Sequence, residues 1–396
     1  MTNVHNIAIV GGGLAGLAAG NALLNHGFEV EVFEQSPTLG EIGAGISVSS
    51  QAIKALRAIG LGEKLAAVGN VSQGIQTRNM HTGEPLEFRE SAAARYGAPH
   101  CFFHRADLLN ALASGIDSAH VHLGHRLTAI EERQSSVTLT FANGATRQAD
   151  VVIGADGVHS VVRRALYGDD HPVYTGQMVW RALLKGSDVP AEVMEPTGNN
   201  QWLGLGRHLL GYYLRGREVI NIVTQQDTDQ WVEEGWSIAG DPDEMRASFP
   251  DPEPRLKTLL SIVTQCSKWG LFLRPLTDNW GQGRIQLVGD AAHAMLPNAG
   301  QGAGQAFEDA YILARWLDAG RHDPVEALRN FRRIRIPRVH GVQRRSLANA
   351  RMKHTRDRAG QKEWLAKEET TDGMGWIWGF DPVQAWDQVP TVPIIE

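Results

Sequence analysis

The chain has 396 residues with a formal net charge of −6, and 42% of its residues are hydrophobic and 21% charged. This composition is globular and excludes a largely disordered chain, and the length predicts about two or three domains. The mild acidity argues against a nucleic-acid partner, and two cysteines are too few for a disulfide framework, which favours a reducing, cytoplasmic location.

The amino-terminal residues predict a strand, a tight turn, a helix and a second strand. Ile7–Val10 is a short apolar run, a helical pattern follows from Leu14 to about residue 26, and the second strand ends at Glu34. This order is typical of a parallel crossover unit. The stretch Ile7–Leu24 is uncharged over a length that could cross a membrane. Its glycines, and the lack of a preceding basic residue, argue against a membrane span and a signal peptide.

The middle of the chain predicts further strands and an inserted sheet. Val137–Phe141 alternates with period two before an Asn-Gly hairpin signal, and Val151–Ile153 is another apolar run. From about residue 173 to 224, strand-length runs of mixed polarity predict a separate, mainly antiparallel sheet. Arg284–Val288 then resembles a buried parallel strand.

The last third of the chain predicts helices. One helix is expected from about Gly304 to Leu317, and the basic region of residues 325–351 is expected to be helical but kinked or broken at Pro337. The predicted fold class is therefore α/β (α+β). A Rossmann-like domain comprises residues 1–172 and 276–345, an inserted sheet domain comprises 173–275, and a helical, tryptophan-rich region comprises 346–396.

A glycine motif follows the first strand and opens the first helix. Gly11 permits the tight turn, Gly13 lets the backbone approach a pyrophosphate, and Gly16 allows close packing of helix and strand. The helix amino terminus offers free N–H groups and partial positive charge to phosphates. Glu34 ends the second strand, where a carboxylate can accept from ribose hydroxyls. The context predicts a bound dinucleotide, and the motif alone does not distinguish NAD from FAD.

Three further motifs, His104–Leu108, Gly154–Arg163 and Gly289–Ala310, accompany the glycine motif. Together the four motifs resemble the single-component FAD-dependent aromatic hydroxylases, especially the salicylate hydroxylase-like branch, in order along essentially the whole chain. Residues 374–381 also look like the tail of that branch. The resemblance implies bound FAD, NADH or NADPH as a transient electron donor, and oxygen transfer to a small aromatic substrate through a flavin C4a-hydroperoxide.

The resemblance also implies cofactor-binding residues beyond the glycine motif. Arg105 and Asp290 match positions that contact FAD in the family. The segment with Gly300, Gly302 and Ala303 precedes a helix whose amino terminus can stabilise negative charge on the flavin. Asp156 matches a position linked to FAD and to the nicotinamide pyrophosphate. It could equally cap the helix that follows, and both interpretations stay open.

The inserted sheet carries the candidate catalytic residues. His208 and Tyr212 are four residues apart on one strand and share a face. The resemblance makes His208 a candidate base for a phenol. Tyr213, on the opposite face, is expected to pack in the core, as is Trp180.

The predicted substrate-binding residues are Ser47, Arg181, Arg215, Pro297 and Asn298. Arg215 is a candidate partner for a substrate carboxylate or a support for the flavin. Asn298 stands where salicylate- and hydroxynicotinate-type relatives usually have His, and Ser47 stands where relatives have a bulkier polar side chain. Asn cannot titrate, which puts an acid–base role at that position in doubt.

The predicted function is therefore hydroxylation of a small aromatic acid, first of all a hydroxybenzoate such as salicylate or 3-hydroxybenzoate. A hydroxylated N-heteroaromatic acid of the 6-hydroxynicotinate type remains open. The alternatives are a flavin oxidase, dehydrogenase or halogenase on the same fold, and a non-enzymatic nucleotide-binding regulator. No metal is expected, because the nearby histidine groups lack a zinc signature; these groups are His100 with His104, and His120, His122 and His125. A monomer or homodimer is expected.

Overall fold

The protein's fold is known from a computed structural model, which describes residues 4–40, 44–91, 93–169, 171–230, 238–355, 357–367 and 371–395. The strands of these residues are β1 (Asn6–Val10), β2 (Glu29–Phe33), β3 (Gly45–Val48), β4 (Asn70–Val71), β5 (Gly74–Asn79), β6 (Pro85–Glu90), β7 (Cys101–His104), β8 (Val121–His122), β9 (Leu127–Glu132), β10 (Val137–Phe141), β11 (Thr146–Ala149), β12 (Val151–Gly154), β13 (Val173–Lys185), β14 (Asn199–Gly204), β15 (Arg207–Leu214), β16 (Val219–Asp227), β17 (Ala239–Gly240), β18 (Cys266–Leu273), β19 (Gly281–Gln282) and β20 (Ile285–Leu287).

The α-helices of the same residues are α1 (Leu14–Asn25), α2 (Ser50–Ala58), α3 (Gly62–Val68), α4 (Ala93–Tyr96), α5 (Arg105–Ala113), α6 (Val161–Tyr167), α7 (Ala191–Met194), α8 (Pro242–Ala247), α9 (Pro254–Ser261), α10 (Asp290–His293), α11 (Gly302–Ala319), α12 (Pro324–Lys353), α13 (Arg358–Lys367) and α14 (Trp376–Trp378). A short 3-10 turn covers Pro297–Ala299. None of the described helices combines the length and apolar character that crossing a membrane requires.

A six-stranded sheet forms the first layer, in the order β19-β20-β12-β1-β2-β8. All its pairings are parallel except that of β19 with β20. Its central strands are apolar on both faces because helices cover both, as buried parallel strands require. The sequence from β12 to β20 skips more than a hundred residues, so the nucleotide-type fold is discontinuous, as predicted.

An eight-stranded sheet forms the second layer, in the order β17-β18-β13-β16-β15-β14-β5-β6. Its pairings are antiparallel except for β14 with β5. One face packs on α7, α8 and α9 around Trp180 and Trp202, which are fully buried. The predicted fold class is thereby confirmed, and the predicted hairpin is confirmed as β10 paired with β11. The boundaries at 172/173 and 275/276 stay a prediction, since β5 and β6 join this sheet from within residues 1–172.

The long carboxy-terminal helix α12 corrects one expectation. It continues through Pro337 as a single 30-residue helix, so the expected break is absent. Arg335 and Arg338, on either side of Pro337, both donate to the buried carboxylate of Glu308 in α11 at 2.6 Å. These fully buried charge-assisted bonds hold the helix against α11, which offsets the cost of a proline in its interior.

Candidate active site

A cavity of about 370 Å³ lies between the two large sheets. One wall is the face of the eight-stranded sheet, with side chains from five strands, namely Ile75, Arg181, Gln201, Leu210, Tyr212 and Val223. The opposite wall is formed by the β1–α1 turn, by Asp290 and by residues 295–303. The cavity therefore brings together the amino-terminal glycine motif, the Gly289–Ala310 motif and the inserted sheet.

The glycine motif shapes the end of the cavity nearest to β1. Gly11 has φ +108° and a Cβ there would lie 2.4 Å from the carbonyl oxygen of Ala155, while a Cβ at Gly16 would lie 1.9 Å from the carbonyl oxygen of Gly11. These two glycines are thus required by packing. Gly13 lines the cavity, and a Cβ on it would meet nothing within 4 Å. The space beside Gly13 is open to a ligand, as the motif predicted.

Two helix amino termini open on the cavity. The first residues of α1 and of α11 both line it, and neither helix has a side-chain cap or an acidic residue in its first turn. Their leading N–H groups and helix dipoles are therefore available to negative charge. Gly300, with φ +61°, lets the chain turn into α11, and Gly302 and Ala303 form its first turn. A buried amide chain from Gln51 through Gln301 to the Ser49 hydroxyl fixes this turn.

Charged residues flank these helix ends. Arg105 and Asp290 both line the cavity, and while burial lowers the pKa of Arg105, the negative charge of Asp290 opposes that shift. The carboxylate of Glu34 accepts from the N–H groups of Gly12 at 2.7 Å and Ser36 at 2.8 Å. Glu34 thus closes the glycine turn at the end of β2, and its contact with a ribose stays a prediction.

Asp156 is a helix cap in the structure. Its carboxylate accepts from the N–H groups of Val161 at 2.7 Å and Val162 at 3.1 Å and from the hydroxyl of Ser160. Burial raises the pKa of Asp156, and these hydrogen bonds oppose the shift. The capping interpretation is therefore correct, and Gly157 rather than Asp156 lines the cavity. A role of Asp156 in cofactor binding stays a prediction.

Arg181 and Tyr212 stand on the sheet wall. The Arg181 guanidinium lies 4.7 Å from the ring centre of Trp269, and its buried Nε has no hydrogen-bond acceptor among the described residues. Burial lowers the pKa of Arg181 to about 10, so the group is still a cation at neutral pH. Tyr212 is 3% exposed and stacks on Phe102 at 4.2 Å. Burial raises the pKa of Tyr212, so its hydroxyl stays protonated and is suited to donate a hydrogen bond.

Ser47 pairs with a residue that the sequence analysis did not select for this site. Ser47 Oγ lies 2.7 Å from Nε2 of His100, and both residues line the cavity. Burial, followed by the positive charge of Arg89, lowers the pKa of His100 to about 4. The pair is therefore uncharged at neutral pH. The only signal was the position of His100 just before the buried strand β7. Its spacing from His104 was considered only for a metal site, and that site was rejected because the pair lacks a zinc signature.

Asn298 lines the cavity and forms a reciprocal amide pair with Gln225. Asn298 Nδ2 donates to Gln225 Oε1 at 2.8 Å, and Gln225 Nε2 donates to Asn298 Oδ1 at 3.0 Å. The carbonyl oxygen of Asn298 accepts from Nζ of Lys353, which also lines the cavity. Lys353 was missed because it ends a helix that the sequence marked only as basic. Pro297 lines the cavity from the adjoining turn.

Two residues predicted for the substrate side, His208 and Arg215, do not line the cavity. His208 is on the same strand face as Leu210 and Tyr212 but beyond the end of the cavity, where its Nδ1 lies 2.9 Å from Nε2 of His354. Arg215, predicted to face the substrate or flavin, binds Asp107 through two hydrogen bonds of 2.7 Å and is 41% exposed. The strand ends before Arg215, so the residue turns to the outer surface and its predicted role in the cavity is not supported.

Three other histidines that the sequence singled out, His122, His125 and His293, have structural partners. His293 Nε2 lies 2.6 Å from the buried carboxylate of Asp309 and its ring packs on Trp280. The rings of His122 and His125 pack on Phe33. Among the described residues no group of three or more metal-ligating side chains is assembled.

The cavity residues fit FAD. The open space at Gly13 beside the uncapped α1 suits a pyrophosphate, and the uncapped α11 suits the negative charge of a reduced flavin. Arg105 and Asp290 line the same cavity as further polar partners.

Comparison with known proteins agrees with this geometry. The FAD binding domain family matches residues 4–346. The chain belongs to the single-component FAD-dependent aromatic hydroxylases. It is 36% identical to 3-amino-4-hydroxybenzoate 2-monooxygenase of Streptomyces platensis, with 96% of this chain and 98% of the relative covered. It is 33% identical to 6-hydroxynicotinate 3-monooxygenase of Pseudomonas fluorescens, with 100% and 98% covered.

A solved structure described as a salicylate hydroxylase substrate complex is similar over the full length of both chains, with a TM-score of 0.84 and 27% identity. As a member of this family of aromatic hydroxylases, the protein is an FAD-dependent aromatic-ring monooxygenase that uses NAD(P)H as its electron donor. The predicted family, enzyme class and cofactors are thereby confirmed. The alternative of a non-enzymatic regulator is not supported.

Proposed function

We propose that the protein hydroxylates a small aromatic ring that carries both a carboxylate and a hydroxyl group. The observation that carries this proposal is Arg181, a half-buried cation on the cavity wall whose buried Nε has no acceptor among the described residues. A buried N–H group of a cation without an acceptor is costly, and a substrate carboxylate would supply one. Hydroxybenzoates such as salicylate and 3-hydroxybenzoate have this chemistry.

The wall around Arg181 supports a flat apolar ring. Leu210, Val223 and the Tyr212–Phe102 stack provide apolar and aromatic surface, which removes ring carbons from water. The neutral Ser47–His100 pair offers hydrogen-bonding atoms without charge. A hydroxyl or amino substituent suits that pair better than a second carboxylate would. The ring is then oriented by one charged and one neutral polar contact.

FAD, when bound, supplies the redox chemistry, in which electrons from NAD(P)H activate O₂ and one oxygen atom enters the ring. The chain's own residues bind and orient the substrate and exclude water from the cavity. Tyr212 keeps its proton and donates to the substrate oxygen, which favours its phenolate form. An electron-rich ring is thereby held against the cofactor side of the cavity, where Pro297 and Asn298 form the boundary.

A hydroxylated N-heteroaromatic acid is the second candidate. The 33% identity to the Pseudomonas fluorescens relative named for 6-hydroxynicotinate supports it, and the Ser47–His100 pair can bond a ring nitrogen as well as a hydroxyl.

The test is a panel of monohydroxylated benzoates, amino-hydroxybenzoates and hydroxynicotinates assayed for NADH and NADPH oxidation, with product analysis. We expect stimulation of NAD(P)H oxidation, and a product with one added oxygen, only for acids that also carry a ring hydroxyl. Equal turnover of the corresponding carboxamides would contradict the role of Arg181. Oxidation without oxygen incorporation would favour an oxidase.

A further inference from the structure

None of the cavity-lining side chains considered for the substrate is available to accept the proton of the substrate hydroxyl. Tyr212 is held protonated by burial, Nε2 of His100 is hydrogen-bonded to Ser47 Oγ, and Asn298 does not titrate. Arg181 and Lys353 are cations. A proton released in a cavity that is closed to bulk solvent therefore needs a path to the surface through other groups.

Three titratable residues from distant parts of the chain form a continuous hydrogen-bonded line that begins on the cavity-facing side of the sheet, beyond the end of the cavity. Nδ1 of His208 in β15 lies 2.9 Å from Nε2 of His354, and Nδ1 of His354 lies 2.6 Å from Oδ1 of Asp227 at the end of β16. The two histidines are 8% and 6% exposed, whereas the Asp227 side chain is 50% exposed. The line thus runs from the protein interior to solvent.

The carboxylate at the outer end sets the tautomer of both rings. A carboxylate only accepts, so the 2.6 Å contact places the proton of His354 on Nδ1. Nε2 of His354 then accepts, which places the proton of His208 on Nδ1 and leaves a lone pair on its Nε2. Gln177 Nε2 donates to the same Asp227 oxygen at 2.9 Å, and Gln177 Oε1 accepts from Gln225 Nε2, so the position of the carboxylate is fixed from the sheet side. Gln177 Nε2 also lies 3.1 Å from Nδ1 of His354, and with both nitrogens protonated that contact is not a hydrogen bond.

The inner end of the line adjoins the cavity wall. His208 lies two residues before Leu210, which lines the cavity, and on the same strand face. Its partner across the strand pair is Gln225, which binds the cavity-lining Asn298. Burial, Lys353 and His354 all lower the pKa of His208. His208 therefore stays neutral, so a proton that it accepts at one ring nitrogen is released from the other and no stable imidazolium accumulates.

We propose that His208, His354 and Asp227 form a path that carries the substrate hydroxyl proton to solvent, with His354 as the positioning residue of the path. The substrate O–H bond breaks and, through a cavity water, an N–H bond forms at Nε2 of His208. The Nδ1 proton of His208 moves to Nε2 of His354, and the Nδ1 proton of His354 moves to Asp227 and then to bulk water. No electrons are transferred. The direction of proton transfer rests on the proposed function, because it requires a hydroxylated substrate. The tautomers of the two histidines follow from the Asp227 contact alone.

The tautomers are tested without substrate. Two-bond ¹⁵N–¹H spectra of the FAD-bound protein with ¹⁵N-labelled histidine should show neutral rings protonated on Nδ1 for His208 and His354, assigned with the variants His208→Gln and His354→Gln. Asp227→Asn should leave His354 without a single fixed tautomer. A ring of His354 protonated on Nε2, or an imidazolium at His208, would overturn the proposal even if no tested aromatic acid is a substrate.

The transfer is tested with whichever panel acid is hydroxylated. His354→Gln should lower kcat about tenfold or more with KM unchanged, since acid–base groups contribute at least that much, and Asp227→Asn should act in the same direction. His340→Gln is the matched control, because His340 is on the same helix and contacts the carbonyl oxygen of Thr277 outside the path. It should keep wild-type kcat.

Chemical rescue separates transfer from structure. Imidazole added to His354→Gly should restore kcat, and pyrrole, which has the same shape without a basic nitrogen, should not. Restoration by both compounds, or unchanged kcat in His354→Gln and Asp227→Asn, would show that the line only supports the fold. If His354→Gly does not fold, the Asp227→Asn comparison decides. If the wild-type enzyme hydroxylates none of the aromatic acids, the proposed function is refuted. The tautomer measurement then decides alone whether the proposed path is correct.

Discussion

Replacing Arg181 by methionine should weaken binding of a hydroxylated aromatic acid far more than binding of its carboxamide. The guanidinium would make a charge-assisted bond to the carboxylate, worth about 1.5–3 kcal/mol. At about 1.4 kcal/mol per tenfold, the Kd of the acid should rise roughly 10- to 150-fold. Methionine keeps an apolar contact with Trp269, and Arg181→Lys should recover only part of the affinity because it lacks the planar fork. The assay is titration of the FAD absorbance with 3-hydroxybenzoate and 3-hydroxybenzamide.

The affinity for the acid in the same titration should also depend on pH. Because burial lowers the pKa of Arg181 to about 10, the cation is present below that pH and the affinity for the acid should fall as the pH rises through about 10. Arg217→Met is the matched control, since Arg217 pairs with Glu195 on the outer side of the same sheet. Equal weakening for the acid and the amide would refute the reasoning, because it would mean that Arg181 only packs on Trp269.

Three further predictions concern the cavity and its supports. Gly13→Val should fold but bind FAD weakly, measured by flavin content, whereas Gly16→Ala should lower Tm even with excess FAD, because its Cβ would collide with a backbone carbonyl. Asn298→Leu should reduce the free energy of unfolding by about 1–3 kcal/mol in denaturant titrations because the Gln225 amide loses its partner, and adding Gln225→Leu should recover most of it. Asp156→Ala should cost about 1 kcal/mol of stability, because the first two N–H groups of α6 lose their acceptor while the N-cap Ser160 remains. A larger loss confined to FAD affinity would favour the cofactor-binding interpretation.

The cofactor side of the cavity could be predicted because its signals are local in sequence. Gly11, Gly13 and Gly16 act within one turn, and the glycines before α11 act in the same way. Each position follows from backbone geometry that neighbouring residues determine. The parallel strands β1, β12 and β20 were predicted for the same reason, since short apolar runs before glycine are typical of buried parallel strands.

The substrate side could be predicted only in part, because its contacts join residues far apart in the chain. His100 meets Ser47 across 53 residues, and His354 meets His208 across 146. Strand periodicity correctly grouped His208 with Tyr212 on one face, but it could not show where along that face the cavity ends. Arg215 lies outside the cavity for a related reason, since the strand ends at the residue before it.

The eight-stranded sheet explains why these long-range contacts assemble at one place. Its strands β13, β15 and β16 carry Arg181, Tyr212 and Val223 to the cavity in a fixed register, while the opposite wall comes from turns of the nucleotide-binding layer. Substitutions on the sheet can therefore change the substrate without moving the helix ends that hold the cofactor. Asn298 and Gln225 join the two walls by a reciprocal amide pair. Because neither amide titrates, the substrate proton must be transferred by other residues.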